Sequence, residues 1–192
     1  MYYLKLGFIL LIFCVVAAGI LAYINGLTDP IIKNRKIEDE MKTRSEIIPK
    51  AGFIQKSTPD SSFTYYVAVD SLTKAVKGYT FIAEGNGYGG KIQTMVGVDS
   101  TFAIIAIKVI DHNETPGLGA KCLDASFADL YPKMTESYLF VDKDKAEGKN
   151  IKSITGATIT TRAITNSIRE QIMILKKAIE AEQPSTTAEE GN

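Results

Sequence analysis

Net charge is the first thing this chain lacks: its 22 Lys and Arg balance 22 Asp and Glu over 192 residues. No basic face is left to track a phosphate backbone, which argues against nucleic acid as a partner. Histidine is nearly absent. His112 stands alone, which argues against a zinc or haem site built on imidazoles. Cysteine is scarce too. Cys14 lies in an apolar run and Cys122 far along a polar one, so the two do not pair, and there is no C-x-x-C.

Charge is missing altogether from residues 6–24, LGFILLIFCVVAAGILAYI. A helix needs roughly 20 apolar residues to cross a bilayer core of about 30 Å. Lys5 precedes the run, and Tyr2, Tyr3 and Tyr23 stand where interfacial aromatics belong. A cleaved signal peptide has a shorter apolar core ending at a small-residue site. Here Ala17-Ala18-Gly19 lies inside the run, so the reading is an uncleaved anchor. Lys33, Arg35 and Lys36 follow it, with Glu38, Asp39 and Glu40 beyond. Counting Lys and Arg would keep the rest of the chain in the cytoplasm, but large domains translocate largely regardless of charge.

Beyond the anchor, Thr28-Asp29-Pro30 reads as a helix cap with proline near a first helical position. Ile31, Ile32, Ile37, Met41 and Ile47 among charges predict an amphipathic connector helix, ended by Pro49. Residues 63–69, 77–83, 91–98 and 102–110 are rich in β-branched and aromatic types and predict strands. Asp99-Ser100 reads as a tight hairpin connection. A short helix is expected over 125–130 and a short strand over 138–141. A last helix over 160–182 is predicted from Ile164, Ile168, Ile172, Leu175 and Ile179, spaced by threes and fours. The tail, 183–192, reads as disordered. The expected organisation is α+β: a transmembrane anchor (1–27), a connector helix (28–50), a single soluble domain with an antiparallel-rich sheet and a C-terminal helix (51–182), and the tail.

Three loops hold the chemistry. Asn86-Gly87-Tyr88-Gly89-Gly90 joins two strands. Asp111-His112-Asn113-Glu114-Thr115-Pro116-Gly117-Leu118-Gly119 leaves a third, stiffened by proline and loosened by glycine. Ser153-Ile154-Thr155-Gly156-Ala157-Thr158-Ile159-Thr160-Thr161 runs into the last helix. Its hydroxyls have two readings. Thr158 or Thr160 can cap first-turn amides, for about 1 kcal/mol. Alternatively, the free amides and positive helix end can hold a phosphate.

An apolar N-terminal span, a Gly-Tyr-Gly-Gly loop, Glu-Thr-Pro-Gly-Leu-Gly after a strand and Thr-Gly-Ala-Thr-Ile-Thr opening the last helix occur here in one order. In this the chain resembles the FMN-binding subunits of membrane redox pumps, from about Tyr3 to Ala181. Those are the RnfG proteins of the Rnf ion-translocating electron transport complexes and the related NqrC proteins of sodium-translocating NADH:quinone reductases. The compact length looks more like RnfG. The resemblance implies FMN joined by a phosphoester to Thr158, placed there by a separate flavin transferase that uses FAD. It implies that Thr155, Gly156, Ala157, Thr160 and Thr161 surround the phosphate end, and that Glu114, Thr115, Gly117, Leu118 and Gly119 lie near the flavin. It implies an electron-relay subunit working with other membrane subunits rather than a stand-alone enzyme. It further implies a bacterial cytoplasmic membrane, with the flavin domain on the extracytoplasmic side. The chain departs from the family at Lys152, where an aspartate is common three residues before the Ser/Thr of the motif. Two other classes are weighed: a module binding a ligand non-covalently, and a pilin-like structural protein. Pilin-like chains usually carry a glutamate near the start of the apolar helix, and no acidic residue lies between Met1 and Ile24.

Overall fold

A computed structural model of the chain describes residues 2–58, 63–144 and 150–182, so the expected disordered tail lies outside the described residues. Two compact units divide at Lys42 and Thr43. The first helix, α1, runs unbroken over Tyr2–Ile47. From Tyr2 through Asp39 every residue is exposed. Among the described residues, α1 is the one helix long and apolar enough to cross a membrane.

The expected cap at Thr28-Asp29-Pro30 is not one, because Pro30 lies inside α1. The Thr28 hydroxyl does not accept from an amide ahead of it but donates to the Ile24 carbonyl one turn back, at 2.8 Å. Asp29 pairs with Lys33 at 2.7 Å, at the i,i+4 spacing that supports helices. A proline costs a helix interior about 3 kcal/mol. Cooperative propagation through the helical turns on both sides outweighs that here. Anchor and connector are therefore one helix, which stops two residues short of Pro49.

The second unit begins inside the last turn of α1, where Thr43, Arg44 and Ile47 are buried. The Arg44 guanidinium lies 3.7 Å from the Tyr66 ring centre. Five antiparallel strands follow in sequential order: β1 Ala51–Ser57, β2 Thr64–Asp70, β3 Val76–Asn86, β4 Lys91–Asp99 and β5 Ile104–Asp111. Four of them match the predicted runs closely. β1 is an addition, because AGFIQKS has little apolar alternation to signal it. It is an edge strand, mostly exposed, held by its ladder to β2.

The hairpin after β4 is longer than the two residues expected. Asp99 Oδ1 accepts from the amides of Thr101 and Ala103, and Phe102 takes φ 63° before β5 begins. A 3-10 turn at Gly119–Leu123 and the short helix α2 Ala125–Ala128 then lead to β6 Phe140–Val141, paired in parallel with β7 Asn150–Ile151. Helix α3 spans Thr158–Glu182.

The spacing of α3 explains its packing. Ile164, Ile168, Ile172 and Leu175 are fully buried against one sheet face, among Tyr65, Phe81, Val96 and Val98. Each such side chain contributes about 1.5–3 kcal/mol on burial. A buried hydrogen bond between the Tyr131 and Thr165 hydroxyls, 2.9 Å long, ties α3 to the segment that follows α2. The opposite sheet face is smaller and packs Ala68 and Met95 on Ile47 and Ile48.

Candidate functional site

The start of α3 is made by a glycine. Gly156 takes φ 80°, in the left-handed region that side chains disfavour, and turns the chain from Thr155 into the helix. Ala157 precedes the first helical residue and carries no side-chain oxygen to cap it. The threonines that follow are committed elsewhere. The Thr161 hydroxyl donates to the Ala157 carbonyl at 3.1 Å and accepts from the Ile154 amide at 3.1 Å, closing the Thr155-Gly156 turn from inside. The Thr160 hydroxyl donates to Glu114 Oε2 at 2.8 Å. The capping reading of Thr158 or Thr160 is thereby overturned. The first amides of α3 lack intrahelical acceptors, and the residues of that turn, Thr158 to Thr160, line an open cavity.

That cavity measures about 420 Å³ and is lined in part by Glu114, Thr115, Leu118, Gly119, Gly156, Ala157, Thr158 and Thr160. Its size falls within the roughly 300–1,000 Å³ of small-molecule sites. Four segments far apart in sequence build it: the β3–β4 hairpin, the loop after β5, the residues after β6 and the first turn of α3. Gly117 and Thr161 are not among its lining residues, and Thr155 lies on a separate groove with Lys121, Asp124 and Lys152.

Three further side chains line the cavity that sequence reasoning did not assign to it: Tyr88, Lys143 and Ile159. Tyr88, Leu118 and Ile159 are large, apolar and exposed, at 76%, 47% and 51%. Lys143 comes from a strap of three residues after β6. Asp142 Oδ1 accepts from the Ser153 amide at 3.2 Å, Lys143 Nζ donates to Thr158 Oγ1 at 3.4 Å, and Asp144 pairs with Arg162 at 2.7 Å. No motif signals Lys143, since only the parallel pairing of β6 with β7 brings it beside Thr158.

Glu114 closes the inner wall. It is 6% exposed, and its Oε1 accepts from the Gly89 amide at 3.0 Å. Cys122, behind the wall, is buried at 2%. Desolvation, with the charge of Glu114 adding to it, pushes its thiol up to about 11. This buried Cys122 is an inert structural thiol rather than a nucleophile.

A ring-sized, partly apolar cavity against an open helix N-terminus defines a class of protein, and residues 87–172 match the family described as FMN-binding domain. The match covers all four cavity segments. Among curated relatives, the G subunit of the proton-translocating ferredoxin:NAD(+) oxidoreductase complex of Clostridium ljungdahlii is 31% identical over 163 residues, covering 85% of this chain and 86% of that one. The G subunit of the Na(+)-translocating complex of Acetobacterium woodii is 31% identical over 188 residues, covering 88% and 90%. The chain belongs to this RnfG family. A crystal structure of NqrC, from the Na(+)-translocating NADH-quinone reductase of Parabacteroides distasonis, shares the fold. Its TM-score is 0.52, with 21% identity over 61% of this chain and 62% of that one.

Proposed function

We propose that the chain is the membrane-anchored electron-relay flavoprotein subunit of an ion-translocating oxidoreductase complex of the Rnf type. In this reading FMN is held covalently on Thr158. The observation that carries it is the position of Thr158. It is the first residue of α3, half-buried, with its hydroxyl in the cavity wall beside Lys143. A phosphoester there leaves one negative charge at the helix N-terminus, the end that favours anions. The Lys143 ammonium stands 3.4 Å from the attachment oxygen and offers a counter-charge.

The residues present fit the group. Lys143 and the first amides of α3 would hold the phosphate, and Tyr88, Leu118 and Ile159 would flank an aromatic ring. In attachment, the Thr158 hydroxyl oxygen forms the new O–P bond. The pyrophosphate P–O bond of FAD breaks, AMP leaves, and the hydroxyl proton is released. FMN, when bound, supplies reversible electron uptake. The protein's part is to keep it in place and set its surroundings. A covalent tether suits a relay whose cofactor must not dissociate between turnovers.

The partners are the other membrane subunits of the complex, and a flavin transferase for maturation. Helix α1 sits in the bacterial cytoplasmic membrane through residues 6–24, with the second unit on the extracytoplasmic side. The test is co-expression with and without a flavin transferase, followed by a denaturing gel viewed under ultraviolet light. A fluorescent band in the unsubstituted protein, absent from Thr158→Ala, supports the reading. A band that persists in Thr158→Ala moves the attachment elsewhere, and no band despite an active transferase removes the covalent link.

A further inference from the structure

Glu114 is built into the cavity more tightly than a ligand-binding residue needs to be. Each carboxylate oxygen already holds a donor, the Gly89 amide on Oε1 and the Thr160 hydroxyl on Oε2. The surrounding glycines leave room for little else. A Cβ at Gly87 would lie 2.2 Å from Oε1, and one at Gly119 would lie 2.2 Å from Oε2 and 2.8 Å from the Thr160 hydroxyl. The group thus ties the β3–β4 hairpin, the loop after β5 and the first turn of α3 to one point.

Its charge, however, is not cancelled. Both partners are neutral donors, and among the described residues no cation pairs with it. A carboxylate at 6% exposure is only weakly screened by water, so its field reaches across the cavity it lines. Electrons added to a group in that cavity are opposed by this fixed negative charge.

We propose that Glu114 is a positioning and charge-setting residue that holds the reduction potential of the cavity's flavin low. The proposal rests on the FMN reading above. It assigns Glu114 an electrostatic role in place of a direct bond to the cofactor. Thr160 takes part by partly neutralising the carboxylate.

Two substitutions separate charge from scaffolding. Glu114→Gln keeps an oxygen for the Gly89 amide and offers Thr160 an amide donor, while removing the charge. Thr160→Val keeps the shape of the side chain but strips the donor from Oε2, leaving the charge less neutralised. The flavinylated proteins are titrated by spectroelectrochemistry. Glu114→Gln is expected to shift the equilibrium toward the reduced flavin by about tenfold or more, about 59 mV per electron. Thr160→Val is expected to shift it the other way, and to shift nothing when combined with Glu114→Gln. A scaffolding role alone moves both in the same direction, or neither, and that result overturns the proposal. If Glu114→Gln does not fold, a Thr160→Val potential equal to or above that of the unsubstituted protein overturns it equally. Unchanged potentials in proteins that carry flavin overturn it while leaving the Thr158 reading intact, whereas a protein that takes up no flavin at all removes both.

Discussion

Helices α1 and α3 are both long, but their surfaces follow opposite rules. α1 is exposed over Tyr2 through Asp39, with Leu10, Phe13, Val16 and Leu21 all pointing outward. α3 buries one apolar stripe completely at Ile164, Ile168, Ile172 and Leu175, while Met173 and Ile174 on its other side stay exposed. A helix with one apolar stripe finds its apolar surroundings inside the protein. A helix apolar on all sides has to find them in another medium, and residues 6–24 of α1 match the length of a bilayer core. Their ends differ as well. The last turn of α1 is absorbed into the folded unit by Thr43, Arg44 and Ile47, whereas the first turn of α3 is left polar and open to a cavity.

This contrast can be broken most completely at the open end of α3. Thr158→Ala is expected to abolish covalent flavin altogether, read on a denaturing gel, while helix and sheet content by circular dichroism stay unchanged. Next is the buried stripe. Ile168→Ala should destabilise the folded unit by about 2–5 kcal/mol in urea unfolding, whereas Ile12→Ala in α1 should change it by less than about 0.5 kcal/mol. Equal effects at the two positions would erase the distinction drawn between the helices. A charge sharpens the comparison from the other side. Ile12→Lys should weaken membrane insertion by about 2.5–3.5 kcal/mol on the insertion scale, measured by partition between membrane and soluble fractions, with thermal unfolding of the second unit unmoved.

Smaller effects are expected at the back of α3. Tyr131→Phe leaves the Thr165 hydroxyl buried without its partner, at a cost of about 1–3 kcal/mol. The smallest involves Cys122. Its folded thiol keeps its proton up to about pH 11, while the unfolded thiol loses it near the ordinary value of 9.0. Its stabilising contribution is thus complete below the unfolded value and declines as pH rises from there through about 11. Alkylation of native protein at neutral pH should therefore be slow until unfolding, and rapid labelling of the folded state would contradict its burial. For the same reason Cys122 is a poor handle for finding which side of the membrane the second unit occupies. Ser100→Cys, in the exposed β4–β5 turn, with Cys14 and Cys122 replaced by serine, serves that purpose.

Legibility in the sequence followed the strength of local pattern. The strands over 64–70, 76–86, 91–99 and 104–111 were readable as runs rich in β-branched and aromatic residues, and the stripe of α3 from its spacing by threes and fours. β1 was not, since an exposed edge strand is held by backbone pairing and carries no such period. Proline at position 30 misled, because helix continuity is a cooperative property that one residue's preference does not decide. At the cavity, the glycine and threonine motifs were visible as motifs. Tyr88 and Ile159 stand inside those motifs and Lys143 outside them, yet none is marked as a lining residue, because nothing local shows that a tyrosine or lysine in a loop or an isoleucine at a helix start faces a site.

What the residues determined by themselves was therefore local: an apolar run over residues 6–24 as long as a bilayer core is thick, a striped helix for a core, and β-branched and aromatic runs for a sheet. The glycine-bearing turn of Thr155 and Gly156 belongs here too, because a residue at φ 80° needs no partner to favour glycine. Tertiary structure decided what depends on distance. It set Glu114 against Gly89 and Thr160, residues 25 and 46 positions away, and carried Lys143 to Thr158 across 15. The reason is that hydrogen bonds and charges act through space, and only the packed sheet and helix fix which groups meet.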